Sequence, residues 1–189
     1  MKKIITTVVI ISIIIIAFFL IKIYGQNAIL ELIGQNTKKE SIVVSKENKV
    51  LNQKIPFFDL SGLDQNRVRL SEYINKPFVV VFWASWNVES VNQLKILSAY
   101  NSSLKKEDKL VPVLFVNSQE ELNAVKSFVR RGGYDIKTVI DEKGEFTQNL
   151  NIKSLPTTFY VDRDGIVREV YAGVLSESMF VDKLEQLLK

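Results

Sequence analysis

The chain has 189 residues, 47% hydrophobic and 24% charged, enough for one globular domain and an appendage. It holds no histidine and no cysteine, which excludes Ser-His-Asp and Cys-His catalysis, zinc sites built from those ligands, and thiol–disulfide exchange by this chain alone. Of the net charge of +4, residues 1–54 carry eight Lys and three Glu against 17 Lys and Arg and 18 Asp and Glu in the remainder, so the basic excess is N-terminal and no nucleic-acid groove is expected.

Lys2 and Lys3 precede an uncharged run, Ile4–Ile21, which Ile23 and Tyr24 extend past a snorkelling Lys22. Eighteen helical residues reach about 27 Å, close to the roughly 30 Å of a hydrocarbon core, so residues 1–24 read as a transmembrane signal anchor. A cleaved signal peptide is the rival reading. Its apolar region is normally about 7–15 residues with an Ala-x-Ala-like end, and Lys22–Ala28 offers no such site. The expected membrane partner is therefore met through residues 4–24, with Lys on both sides of the span leaving the orientation undecided by charge.

Residues 25–54 are polar and mixed and read as a tether, with short apolar patches at Ile29–Ile33 and Ile42–Val44, the latter a candidate edge strand. The domain is expected over residues 55–189. It opens with Ile55–Leu60, a turn at Ser61–Asn66, and the alternating Arg67-Val68-Arg69-Leu70, which together read as a hairpin.

Phe78–Trp83 is a continuous apolar run rich in β-branched and aromatic residues, suited to a strand covered on both faces. After it the period changes. Val88, Val91, Leu94, Leu97, Tyr100 and Leu104 recur at helical spacing, with Asn87 the candidate N-cap. A helix starting there aims free N–H groups and a positive end at whatever lies beside it.

Leu110–Asn117 reads as a second buried strand, with Pro112 near its start, because proline cannot donate to a central ladder. Ser118 and Glu121 have capping-box spacing before a helix whose apolar face is Leu122, Val125, Phe128 and Val129, ended by Gly132-Gly133. Thr138–Asp141 reads as a short strand or the approach to one, and Glu145–Leu150 as a short helix. Thr157–Val161 and Ile166–Tyr171 form a hairpin through Asp162–Gly165, and Ser176–Leu188 an amphipathic helix. The acidic turn lacks the spaced carboxylates and distal Glu of a calcium loop, so neither metal nor cofactor is expected. Alternation of strand and helix predicts an α/β fold, parallel strands joined by right-handed crossovers in a three-layer sandwich.

Trp-Ala-Ser-Trp after the apolar strand, followed by Asn87 and Ser90 with two residues between them, resembles the Trp-Cys-x-x-Cys site of membrane-anchored thioredoxin-like proteins of the TlpA/ResA type. Leu155-Pro156-Thr157-Thr158-Phe159 resembles that family's Pro-Thr-Thr-Phe segment, and the hairpin and Leu70-Ser71-Glu72-Tyr73 resemble its domain entry. The resemblance covers about residues 55–189. It implies a thioredoxin-like sandwich with a central mixed sheet, a cis Leu155–Pro156 bond beside the dithiol positions, and a domain on the extracytoplasmic side of the cell membrane, single-pass. It also places Gln93 where the family often has an acid that helps proton movement at the thiols. Glu89, next to Ser90, reads as a solvated first-turn residue.

Asn87 and Ser90 thus stand at degenerate dithiol positions, and no catalytic residue is assigned. The expected function is a binding or scaffold module lacking redox chemistry, with Trp83, Trp86, Asn87, Leu155 and Pro156 forming a groove for a protein or extended peptide. The alternatives are a thiol–disulfide oxidoreductase whose cysteines were lost or replaced, and a structural subunit of a membrane complex.

Overall fold

The computed structural model describes residues 49–104 and 111–189, the side chains of 101–104 excepted. Seven strands, β1 (Asp59–Gly62), β2 (Arg67–Arg69), β3 (Phe78–Trp83), β4 (Val113–Ser118), β5 (Lys137–Asp141), β6 (Thr157–Val161) and β7 (Val167–Ala172), make one sheet ordered β2-β1-β5-β4-β3-β6-β7. The helices are α1 (Val88–Leu104), α2 (Leu122–Gly132), α3 (Glu145–Asn149) and α4 (Glu177–Leu187). β3, β4 and β5 run parallel, as the crossovers α1 and α2 require, while β1, β2, β6 and β7 are antiparallel to their neighbours. The mixed three-layer α/β sandwich is the architecture the sequence predicted.

β3 lies at the centre, and all six of its residues are fully buried. Its alternation divides the core. Val79, Val81 and Trp83 face Leu94 and Leu97 of α1, Val125 of α2 and Phe180 of α4, whereas Phe78, Val80 and Phe82 face Phe58, Phe146 of α3 and Phe159. Each fully buried Val or Phe contributes about 1.5–3 kcal/mol, so this strand anchors both layers.

Pro112 stands one residue before β4, its carbonyl accepting from the Val79 N–H at 2.9 Å, so the missing donor falls outside the ladder. The capping box at Ser118 does not form. Ser118 belongs to β4, paired with Asp141 of β5, and α2 starts after an N-cap, Glu121, whose side chain makes no capping bond. Asp162–Gly165 is a turn, and its carboxylate accepts the Asp164 and Ile166 amides at 2.9 Å each.

Residues 49–54, at the end of the stretch read as a tether, are stitched to β7. The Asn52 N–H donates to the Val167 carbonyl at 2.8 Å, and the Val167 N–H to the Gln53 carbonyl at 2.9 Å.

The transmembrane signal anchor requires correction. Among the described residues no helix is long and apolar enough to cross a membrane. The longest, α1, has 17 residues and turns Leu94 and Leu97 to the sheet while Lys95 is exposed. Residues 4–24, on which the expectation was placed, lie outside the described residues, as do Ile29–Ile33 and Ile42–Val44. The membrane partner and the single-pass placement rested on that anchor and are withdrawn with it, as is the extracytoplasmic side of the domain, which the resemblance alone implied.

Candidate functional site

Register brings three connections to one end of the sheet. Phe82 of β3 pairs with Thr157 of β6, and Thr157 with Ala172 of β7. The β3–α1 connection 84–87, the segment 154–156 and the β7–α4 connection 173–176 therefore leave the sheet together.

At the first of these the chain turns from strand to helix over four residues. The Asn87 N–H donates to the Ala84 carbonyl at 3.3 Å, and the Asn87 carbonyl accepts the Val91 amide at 3.1 Å, opening α1. The Asn87 side-chain oxygen accepts the Ser90 amide at 2.7 Å, which makes it the N-cap the sequence pointed to. One of the donors that a helix start leaves open is thereby occupied from within the chain. The Ser90 side chain is fully buried, and its hydroxyl has no hydrogen-bond partner among the described residues. Neither group has a second covalent state to cycle through, so the two positions hold a cap and a buried alcohol.

The flanking residues are of the opposite kind. Trp86 is 66% exposed and Val88 74%, two of the four large hydrophobic side chains that are exposed among the described residues. Trp83 is fully buried, its indole N–H donating to the Thr138 hydroxyl at 3.1 Å and its ring 5.9 Å from that of Phe128. Of the two tryptophans, only Trp86 offers surface; Trp83 supports the strand from below. The Leu155–Pro156 bond is cis. Leu155 is half-buried against the Phe82 face of the core, and Pro156 is buried, its carbonyl accepting the Gly173 N–H at 2.8 Å.

Two residues outside the sequence-predicted set hold this end together. Glu120, half-buried, accepts the Ser85 amide at 2.7 Å, the Ser85 hydroxyl, and the Asn117 side-chain amide at 2.7 Å, tying the β3–α1 connection to the end of β4. Charge-assisted bonds of this kind are stronger than neutral ones. Gln93, fully buried, bonds both backbone groups of Leu175: its oxygen accepts the Leu175 N–H at 2.6 Å, and its nitrogen donates to the Leu175 carbonyl at 3.4 Å. The sequence marked Gln93 only as a missing acid. No local signal identifies its partner, which lies 82 residues away.

The wider concavities described lie elsewhere. One of about 480 Å³ is bounded by Phe57, Asp59, Arg67, Glu142, Glu145 and Phe146. Its Asp59 carboxylate is committed to Arg67 at 2.7 Å and Arg69 at 3.1 Å. Those two guanidinium groups hold the Asp59 carboxyl below its usual range, so its charge is already answered.

Comparison with known proteins agrees with this geometry. A family model described as Redoxin matches residues 49–188. The thiol-disulfide oxidoreductase ResA of Geobacillus kaustophilus is 29% identical over 132 residues, 70% of this chain and 75% of that protein. The thioredoxin-like protein YneN of Bacillus subtilis is 23% identical, over 70% of this chain and 78% of that one. Among solved structures, a putative thiol:disulfide interchange protein DsbE from Chlorobium tepidum superposes with a TM-score of 0.62 at 24% identity, covering 73% of this chain and 94% of that one. The exposed lipoprotein thioredoxin Etrx1 from Streptococcus pneumoniae gives 0.61 at 24% identity, covering 70% and 100%.

Proposed function

The chain belongs to the Redoxin family, and from that premise we propose that it acts by binding, taking a protein or extended peptide at the sheet end where Trp86, Asn87, Leu155 and Pro156 lie. The activity named for its relatives moves electrons through sulfur, and a chain without cysteine has no atom to carry them. What remains of such a site is its recognition surface.

The observation that carries the reading is the contrast within three consecutive residues. Asn87 turns its side chain inward to cap the helix, while Trp86 and Val88 on either side stand exposed. Large apolar groups of this kind, and tryptophan above all, are what interfaces use as anchors. A surface serving only the fold gains nothing from keeping them in water.

Two measurements on the purified chain test this. In an insulin-reduction assay the chain gives no turnover above buffer, and turnover would overturn the reading. In affinity capture, partners retained by the wild-type chain are lost with Trp86→Ala while unfolding is unchanged; equal retention by both contradicts the assignment of the surface.

A further inference from the structure

A long-range polar contact at this end of the molecule joins Gln93 to Leu175, 82 residues away, and both residues are fully buried. Gln93 lies in the second turn of α1, beyond Ser90. Leu175 lies in the connection from β7 to α4, whose Gly173 donates to the Pro156 carbonyl at 2.8 Å. A continuous series of bonds therefore runs from α1 through Gln93 to Leu175, and along Gly173 to Pro156.

We propose that Gln93 is a positioning residue: by bonding both backbone groups of Leu175, it fixes the 173–175 connection to α1 and so sets the Pro156 segment relative to Trp86. This deepens the binding reading and rests on it only for what the positioning serves.

The chemistry of the carboxamide explains why this residue type suits the task. Leu175 presents one donor and one acceptor, and a carboxamide answers both without titrating. A carboxylate answers the donor alone. A carboxyl group answers both only while protonated, and burial favours that state at low pH. A hydrocarbon answers neither, leaving two buried backbone groups unpaired. The pairing in the wild-type chain is accordingly insensitive to pH.

The test compares the full-length chain with Gln93→Met and Gln93→Glu by amide hydrogen exchange, corrected for the intrinsic effect of pH, together with the Trp86 indole resonance. In Gln93→Met, protection of both Leu175 and Gly173 falls by roughly tenfold or more, the scale of one to two buried hydrogen bonds, and the Trp86 indole resonance shifts. In Gln93→Glu, Gly173 protection approaches the wild-type value at low pH and drops as pH rises, while the wild type stays level.

Loss confined to Leu175, with Gly173 and Trp86 unmoved, reduces Gln93 to a local packing role and overturns the proposal. Gln93→Glu protection that ignores pH overturns it equally, and serves if Gln93→Met does not fold. Because neither readout requires a partner, these outcomes are separate from failure of the binding reading.

Discussion

The side-chain oxygen of Asn87 accepts the backbone amide of Ser90 at 2.7 Å, so the two positions that resemble a redox pair are joined here by a helix-capping bond. Removing it has a defined cost. Asn87→Ala lowers unfolding stability by about 1 kcal/mol, and Asn87→Asp or Asn87→Ser recovers most of it, because each supplies a capping oxygen. Denaturant unfolding midpoints check this, and an unchanged midpoint in Asn87→Ala would mean the cap is not formed.

Ser90 behaves in the opposite way. Its hydroxyl is buried and has no partner among the described residues, so Ser90→Ala removes an unanswered polar atom. Stability rises by up to about 1 kcal/mol. A loss would show that the hydroxyl bonds something in solution.

The scaffold retains the spacing that a dithiol needs. On a helix the Cα atoms of residues three apart lie about 5 Å from each other, within the roughly 4.4–6.8 Å between Cα atoms that a disulfide bridges. The double variant Asn87→Cys/Ser90→Cys therefore forms an intramolecular disulfide, detected by thiol titration, and the single variants do not. Failure to close would show that this helix start has departed from disulfide geometry.

Acid sensitivity arises at the other end of the β6–β7 hairpin. Burial pushes the Asp162 carboxyl up, but the Ile166 amide, the Arg168 guanidinium at 2.6 Å and the Asp164 amide outweigh it and hold it below its usual range. A carboxyl lowered on folding adds stability above its unfolded pKa of about 3.9, and that stability is lost as pH falls through the lower folded value. Urea midpoints are thus level above about pH 5 and decline below about pH 4, with a shallower decline in Asp162→Asn. Parallel profiles would contradict the assignment.

Periodicity made the centre of the fold legible. Phe78–Trp83 could be read as a doubly covered strand and Val88–Leu104 as the helix after it, because both patterns are local, and Asn87 was readable as a cap for the same reason. Local pattern misled at Ser118, where pairing with Asp141 keeps the serine in the sheet and Gln119, at φ 60°, makes the turn into α2. Residues 4–24, where hydropathy alone carried the anchor, lie outside the described residues. The braces of the site, Glu120 on Ser85 and Gln93 on Leu175, act across 35 and 82 residues and leave no mark on the sequence around them.

The proposed recognition belongs to the sheet end and not merely to wherever an apolar side chain is exposed. Phe57 is a matched control, 70% exposed against 66% for Trp86, and borders a different concavity. A photoreactive residue placed at position 86, 155 or 57 of the full chain in its native cell reports which surface is occupied. A discrete protein or peptide adduct is expected from positions 86 and 155 and none from 57; an adduct from 57 alone, or from none of the three, contradicts recognition at the sheet end.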